Sequence, residues 1–241
     1  MSTAQSVASS VASSVASSVA GSGGGVVPET AYQILAAAAK AHYNGLGDSP
    51  NDVSGNAQHG TWNGTPSYAD PPPGIAGKAF TTASGSYVSL PSPLDGSSAW
   101  AAAAWIKATS LANNCSPFVG SLSVNAHPTI RWTAADSKLH FYASLSNDFH
   151  VNNVTGSTVI TTDTWYHVAV QYDGTTAKIW INGIDVSVGG TVTSGKTLTT
   201  DTTRIGGGAN ASAAAWVGQV ADLFLFRRAL TGSEISTLMA G

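Results

Sequence analysis

The chain has 241 residues, 43% of them hydrophobic and only 10% charged, with a formal net charge of −3. Charged residues make up about 25% of an ordinary soluble domain, so this surface must be covered by Ser, Thr, Asn and Gly, and ten Lys plus Arg without a basic run exclude a nucleic-acid binder. One cysteine, Cys115, excludes an intrachain disulfide, no run of about 18 apolar residues marks a membrane span, and the length suits one β-rich domain with an appendage.

Residues 6–20 repeat Ser-Val-Ala-Ser and place Val7, Val11, Val15 and Val19 four apart, ahead of Gly21-Ser22-Gly23-Gly24-Gly25. On a helix these valines make one narrow apolar stripe, too little to hold a lone helix. Two readings stay open: a disordered Ser/Ala linker, or a partner-docking arm, helical or extended, that another subunit orders, with the glycine run as its hinge. The first residues lack the basic region and unbroken apolar region of a secretory peptide, so no secretion signal is expected.

Residues 28–43 predict a short helix, with Pro28 suited to a first turn, Glu29 favourable near the positive end, and Tyr32, Leu35, Ala36, Ala39 and Tyr43 at helical spacing. From Asn44 onward Gly, Asn, Asp, Ser and Pro71-Pro72-Pro73 punctuate short segments. Strands are predicted at Tyr87–Leu90, Trp100–Lys107, Thr129–Thr133, Lys138–Leu145 and Val217–Phe226. The clearest strand signal is Trp165–Val188, three β-rich runs joined by an Asp173–Thr176 loop and a two-residue Asn182-Gly183 turn. In the first run Tyr166, Val168, Val170 and Tyr172 share one face, opposite Trp165, His167, Ala169 and Gln171, and apolar groups on both faces predict a strand inside a layered structure. Thr231-Gly232-Ser233-Glu234 is a capping box that should open a last helical turn, Glu234 to Met239. The pattern predicts an all-β, antiparallel two-sheet jelly roll over 46–241, preceded by an arm and hinge over 1–25 and a short helix over 26–45.

Catalytic chemistry is not visible. A glycosidase needs two carboxylates at a defined separation, yet the only glutamates, Glu29 and Glu234, fall in the terminal helices, and the aspartates nearly all sit beside turn residues. The six histidines show no zinc spacing; His59 and His167 are explained by packing and hydrogen bonding. Cys115 has no cationic neighbour to activate it, and Gly206-Gly207-Gly208 is a loop rather than a phosphate cradle. No catalytic residue and no metal ligand is assigned. Sequons at Asn63, Asn114, Asn153 and Asn210 read as coincidences of a Ser/Thr-rich surface. For a sugar ligand the candidates are Trp62, Tyr68 and Trp216, aromatic residues in loop-like segments whose rings could stack on a pyranose.

Together these segments resemble the concanavalin A-like, laminin-G-like jelly rolls of the bacterial and viral branch. The pieces, in order, are Asp52-Val-Ser-Gly55-Asn56-Ala-Gln-His59-Gly60, Gly77-Lys78-Ala79-Phe80, Ser86-Tyr87-Val88, Trp105, Trp165-Tyr-His167-Val-Ala-Val170, Tyr172-Asp173-Gly174, Ile181-Asn182-Gly183, Arg204-Ile205-Gly206 and Gly218 through Thr231 ahead of Glu234-Ile235. The resemblance implies a non-catalytic binding module for glycans or proteins, with Ca²⁺ in some relatives. The Phe-Asp-Gly that such domains often carry is here Phe80-Thr81-Thr82, one carboxylate fewer, so no cofactor is assigned and Ca²⁺ stays an open alternative; Asp222 reads as a structural hydrogen-bond acceptor.

The resulting expectation is a non-enzymatic structural and adhesive virion protein, a phage decoration, fibre or tail accessory protein made in the host cytoplasm and displayed on the particle surface. Its partners would be capsid or tail subunits through the arm, further copies of itself in a homo-oligomer, and a host-surface glycan, with neither nucleic acid nor membrane. The alternatives are a free-standing glycan-binding lectin and, behind it, a glycosidase.

Overall fold

The computed structural model describes residues 29–112, 114–118, 129–145, 148–195, 197–198, 203–207 and 215–241. Val7, Val11, Val15 and Val19 of the expected arm lie outside the described residues. The chain divides into two units, Met1–Thr30 and Ala31–Gly241, and the second carries every element below.

In chain order these are α1 (Ala31–Ala38), β1 (Ala41–Tyr43), β2 (Thr61–Asn63), β3 (Tyr68–Ala69), β4 (Ala79–Thr82), β5 (Tyr87–Leu90) and β6 (Trp100–Ser110). Then come β7 (Thr129–Thr133), β8 (Lys138–Leu145), β9 (Asp148–Val159), β10 (Tyr166–Tyr172), β11 (Ala177–Ile181) and β12 (Ile184–Asp185). The chain ends with β13 (Ser187–Val188), β14 (Thr191–Val192), β15 (Thr203–Ile205), β16 (Val217–Phe226) and α2 (Gly232–Ala240).

All strand pairs are antiparallel. Sheet I runs β12-β11-β10-β6-β16-β4-β3, with β1 also on β16. The facing layer, sheet II, is built from β13-β9-β8-β7, with β14 on β9, and from β15-β5-β2. Bridges from Cys115 to Trp132 and from Phe118 to Ile205 join these two parts. This is the predicted jelly-roll sandwich. Its large core, with Phe80, Trp100, Ile106, Phe118, Phe141 and Val168, fills the space between the layers.

Strand β6 shows how the sequence sets the layering. Ala102, Ala104, Ile106 and Ala108 face the large core, while Ala101 and Ala103 face the other way into a second core with Leu35, Phe224, Phe226, Ile235 and Leu238. Methyl groups on that outer face let both helices settle onto sheet I. Thr231 caps α2 through the predicted reciprocal box with Glu234.

The predicted helix over 28–43 is shorter than expected: α1 spans only Ala31–Ala38. Lys40 N–H donates to Leu225 O at 2.8 Å, and Ala41, His42 and Tyr43 pair with Leu225, Phe224 and Leu223. A free edge of β16 thus captures the end of the helical pattern, so the sheet begins at Ala41 and not after residue 45.

Both edges of the sandwich are closed by short devices. Val186 N–H donates to Ile179 O in sheet I at 3.0 Å, and its carbonyl accepts from Ser157 N–H in sheet II at 2.8 Å, so the chain steps between layers there. At the opposite edge Trp62 of β2 and Tyr68 of β3 meet across the layers, Nε1 donating to the phenol oxygen at 2.6 Å.

Candidate ligand-binding site

Among the described residues, helices cover the outer face of sheet I at one end only. Beyond them, the register sets Thr81 of β4 opposite Gln219 of β16, and Gln219 opposite Lys107 of β6. Trp165, just before β10, continues this row: the Lys107 ammonium lies 4.9 Å from its ring centroid. A second row sets Ala221 opposite Trp105 and Trp105 opposite His167. Three strand spacings of about 4.8 Å make the first row roughly 14 Å long.

Thr81, Gln219, Lys107, Trp165 and Trp105 are half-buried, whereas His167 is 2% exposed. Eleven buried side-chain polar atoms have no hydrogen-bond partner among the described residues, and four of them, Thr81 Oγ1, Gln219 Oε1, Trp105 Nε1 and His167 Nδ1, belong to this patch. An unsatisfied buried polar group costs about 1–3 kcal/mol, so their clustering marks a surface whose pairing is incomplete. Burial lowers the pKa of His167 to about 4, which keeps the ring neutral. It packs edge-on to Trp105, centroids 5.4 Å apart. Packing therefore explains His167 as expected, and its backbone exchanges hydrogen bonds with Asn182 at 2.9 and 2.8 Å, while the ring Nδ1 has no partner among the described residues. His59 is exposed and does not fit a packing role.

The patch offers an indole face, an ammonium, an amide and a hydroxyl in one line, the groups that stack on a sugar ring and read its hydroxyls. None of its six side chains is a carboxylate, so the patch itself carries no acid–base pair for glycoside cleavage.

The outer face of sheet II is polar in a different way. Arg131, His140 and Thr155 are cross-strand neighbours on β7, β8 and β9. His140 Nε2 lies 3.0 Å from Asp136 Oδ2, and its Nδ1 lies 3.2 Å from Thr155 Oγ1. Arg131 Nη2 donates to the Tyr142 hydroxyl at 3.0 Å, with the guanidinium 4.8 Å from that ring centroid. Burial opposes ionisation of Asp136, but hydrogen bonds from Thr133, His140 and the Lys138 amide outweigh it and hold its pKa at about 2.

Of the residues predicted from sequence, Trp62 and Tyr68 are brought together, their rings edge to face at 5.7 Å. Both are half-buried and sit on β2 and β3, where they clasp the sandwich edge. Trp216 is 0% exposed: the expected loop aromatic is a core residue packed between the layers, and its ring cannot serve as a surface stacking platform. Placing stacking aromatics in loops leaves out the sheet I patch, whose sequence signal is the outward alternation Trp105-x-Lys107 beside Trp165.

Other expected residues take scaffold roles. Asp52 accepts from the amides of His42, Ser54 and Gln58 and from Ser54 Oγ, and these bonds lower its pKa although burial opposes them. Asp222, at φ 54 in a bulge of β16, accepts from Tyr32 Oη at 2.8 Å and lies 2.6 Å from His42 Nε2, tying α1 and β1 to sheet I. Burial pushes the Cys115 thiol up to about 12, opposite to what a nucleophile needs. Gly206, at φ 79, passes so close to Thr82 that a Cβ would clash with that side chain. No group of three metal-ligating side chains occurs among the described residues.

Two stacked antiparallel layers, helices on one outer face and a stacking surface beside them define a lectin-like jelly roll. A family profile described as the concanavalin A-like lectin/glucanases superfamily matches residues 82–236, and the chain belongs to that superfamily. Among solved structures it is similar to domain 4 of AbnA, a GH43 extracellular arabinanase from Geobacillus stearothermophilus, in complex with arabinotriose. The identity is 24%, the TM-score 0.69, and the match covers 83% of this chain and 97% of that domain. It is also similar to the binding domain of botulinum neurotoxin DC in complex with SialylT (14% identity, TM-score 0.63, 85% of this chain and 51% of that one). A third relative in fold is Trypanosoma rangeli sialidase in complex with the inhibitor DANA (13%, TM-score 0.61, 83% of this chain and 32% of that one). Comparison with curated proteins gives no match.

Proposed function

We propose that this chain is a non-catalytic glycan-binding module whose ligand lies along the Thr81–Gln219–Lys107–Trp165 row. The observation that carries the reading is the coincidence, on one uncovered sheet face, of two indoles with four unpartnered buried polar atoms. Membership of a lectin and glucanase superfamily supports it, as do neighbours in fold solved with arabinotriose and with SialylT. The ligand is selected on a glycan array and its affinity measured by calorimetry. Trp165→Ala and Trp105→Ala should each weaken binding about tenfold, equivalent to ~1.4 kcal/mol, while Tyr142→Phe on sheet II leaves it unchanged. Full affinity in both indole variants would falsify the site.

The setting proposed for this module is the surface of a virus particle, as a phage decoration, fibre or tail accessory protein docked by residues 1–25. The Ser-Val-Ala-Ser repeat, its glycine hinge and the sparse charge of the chain support this. Deleting residues 1–25 should abolish multimerisation and incorporation into particles but leave glycan affinity intact. Loss of glycan binding with the arm, or particle association without it, counts against this assignment.

A further inference from the structure

A pocket of about 370 Å³ opens where α1 ends, lined by Ala37–Ala39, Lys40, Asn56, Arg227 and Arg228. It shares no residue with the row on sheet I. Ten cationic side chains serve the whole chain, three of them line this pocket, and no carboxylate does. A helix C-terminus attracts positive charge, but the effect is about 0.3–1 kcal/mol per group and accounts for one cation more readily than three.

The three are held differently. Arg228 is neutralised by Glu234, with Nη2 2.7 Å from Oε1 and Nη1 3.1 Å from Oε2. Arg227 donates Nε to Pro93 O at 2.8 Å, which fixes its plane, and its Nη groups make no hydrogen bond or ion pair among the described residues. Lys40 is anchored by its backbone to Leu225 O, and its Nζ likewise has no partner among the described residues. Among the described residues, two charges are thus held at the pocket without counterions. Acceptors stand beside them, because α1 ends here and its last carbonyls lack intrahelical partners. Ala39 O is taken by Asn56 Nδ2 at 3.0 Å and Ala36 O by Ala39 N–H, which leaves the carbonyls of Ala37 and Ala38.

A preset guanidinium fork and an ammonium match a carboxylate, and bare carbonyls match hydroxyl donors. We propose that this pocket binds a hydroxylated carboxylate of monosaccharide size, that is, an acidic sugar, with its carboxylate on Arg227 and Lys40 and its hydroxyls on Ala37 O and Ala38 O. The volume lies in the range of small-ligand sites, about 300–1,000 Å³. The site stands independently of the sheet I row.

The full-length protein, labelled with ¹⁵N, is titrated with glucuronate, with glucose and inorganic phosphate as comparison ligands. Glucuronate should give saturable shifts at the amides of residues 37–40 and Asn56, weakened at least tenfold by Arg227→Gln and by Lys40→Gln, with unchanged melting temperatures. Trp165→Ala, which weakens the other site, should leave the titration as it is. Phosphate binding as tightly as glucuronate would make this a general anion site and overturn the acidic-sugar assignment. Equal binding of glucose, absence of shifts, or full affinity in Arg227→Gln would overturn it as well.

Discussion

The outer face of sheet II and the open end of sheet I are both sheet surfaces carrying aromatic and polar side chains, but their hydrogen bonding differs. On sheet II, Asp136, His140 and Thr155 form one hydrogen-bonded set and Arg131 and Tyr142 another, with Arg131 Nε the exception. On sheet I, Thr81, Gln219, Trp105 and His167 are cross-strand neighbours that leave polar atoms unmatched. A network that satisfies itself stabilises the fold and gives a ligand little to add. A row with missing partners is destabilising until something supplies them. The two faces can therefore be separated by experiment without knowing the ligand.

The largest expected effect is on pH dependence. An unfolded histidine takes up a proton as pH falls through its ordinary 6.5, while folded His167 resists until about 4. Its contribution to stability is complete above pH 6.5 and is lost between 6.5 and 4, on the order of 3 kcal/mol. Asp136 acts lower down: with a folded pKa of about 2 against an ordinary 3.8, its contribution is present above pH 3.8 and is lost as pH falls toward 2. Urea unfolding as a function of pH should show two successive losses, the first absent in His167→Gln and the second reduced in Asp136→Asn, with the remainder carried by Asp52 and Asp173, whose pKa values are also lowered. A single loss insensitive to His167→Gln would break the distinction.

Next in size, Thr133→Val removes the hydroxyl that donates to Asp136 Oδ1 at 2.5 Å and should cost about 1–3 kcal/mol in chemical denaturation. The smallest effect sharpens the contrast most. Thr81→Val replaces a hydroxyl with no partner, so stability should hold or rise by up to about 1 kcal/mol, while glycan affinity falls. Equal destabilisation by the two substitutions would mean that the faces do not differ.

Most of the sandwich was legible where strands are long and their two faces chemically distinct. The observed bounds of β5, β7, β8 and β16 are those predicted, and β6 extends its prediction by three residues. Asn182 and Gly183, at φ 51 and 78, form the predicted turn. Strand β9 went unread because its Asp-Phe-His-Val-Asn-Asn-Val-Thr-Gly-Ser-Thr-Val run has no period-2 alternation. Strands β1 to β3 are two or three residues long and exist only through their partners, which no local pattern encodes. The site was less legible for a related reason. A row across four strands is set by register, and the sequence distance from Thr81 to Gln219 conceals that they are opposite neighbours. Trp62 and Tyr68, read as separate loop aromatics, lie on strands, and their juncture across two sheets comes from the fold.

The closed margins of the sandwich bear on how such a module is used. The outermost strands β12 and β3 have two residues each and β2 has three, too few to template a foreign strand. Copies held side by side at high local concentration would not fuse through their backbones. On the proposed glycan-binding reading, many weak sugar contacts then add into firm attachment, with crowding working for adhesion and not toward aggregation.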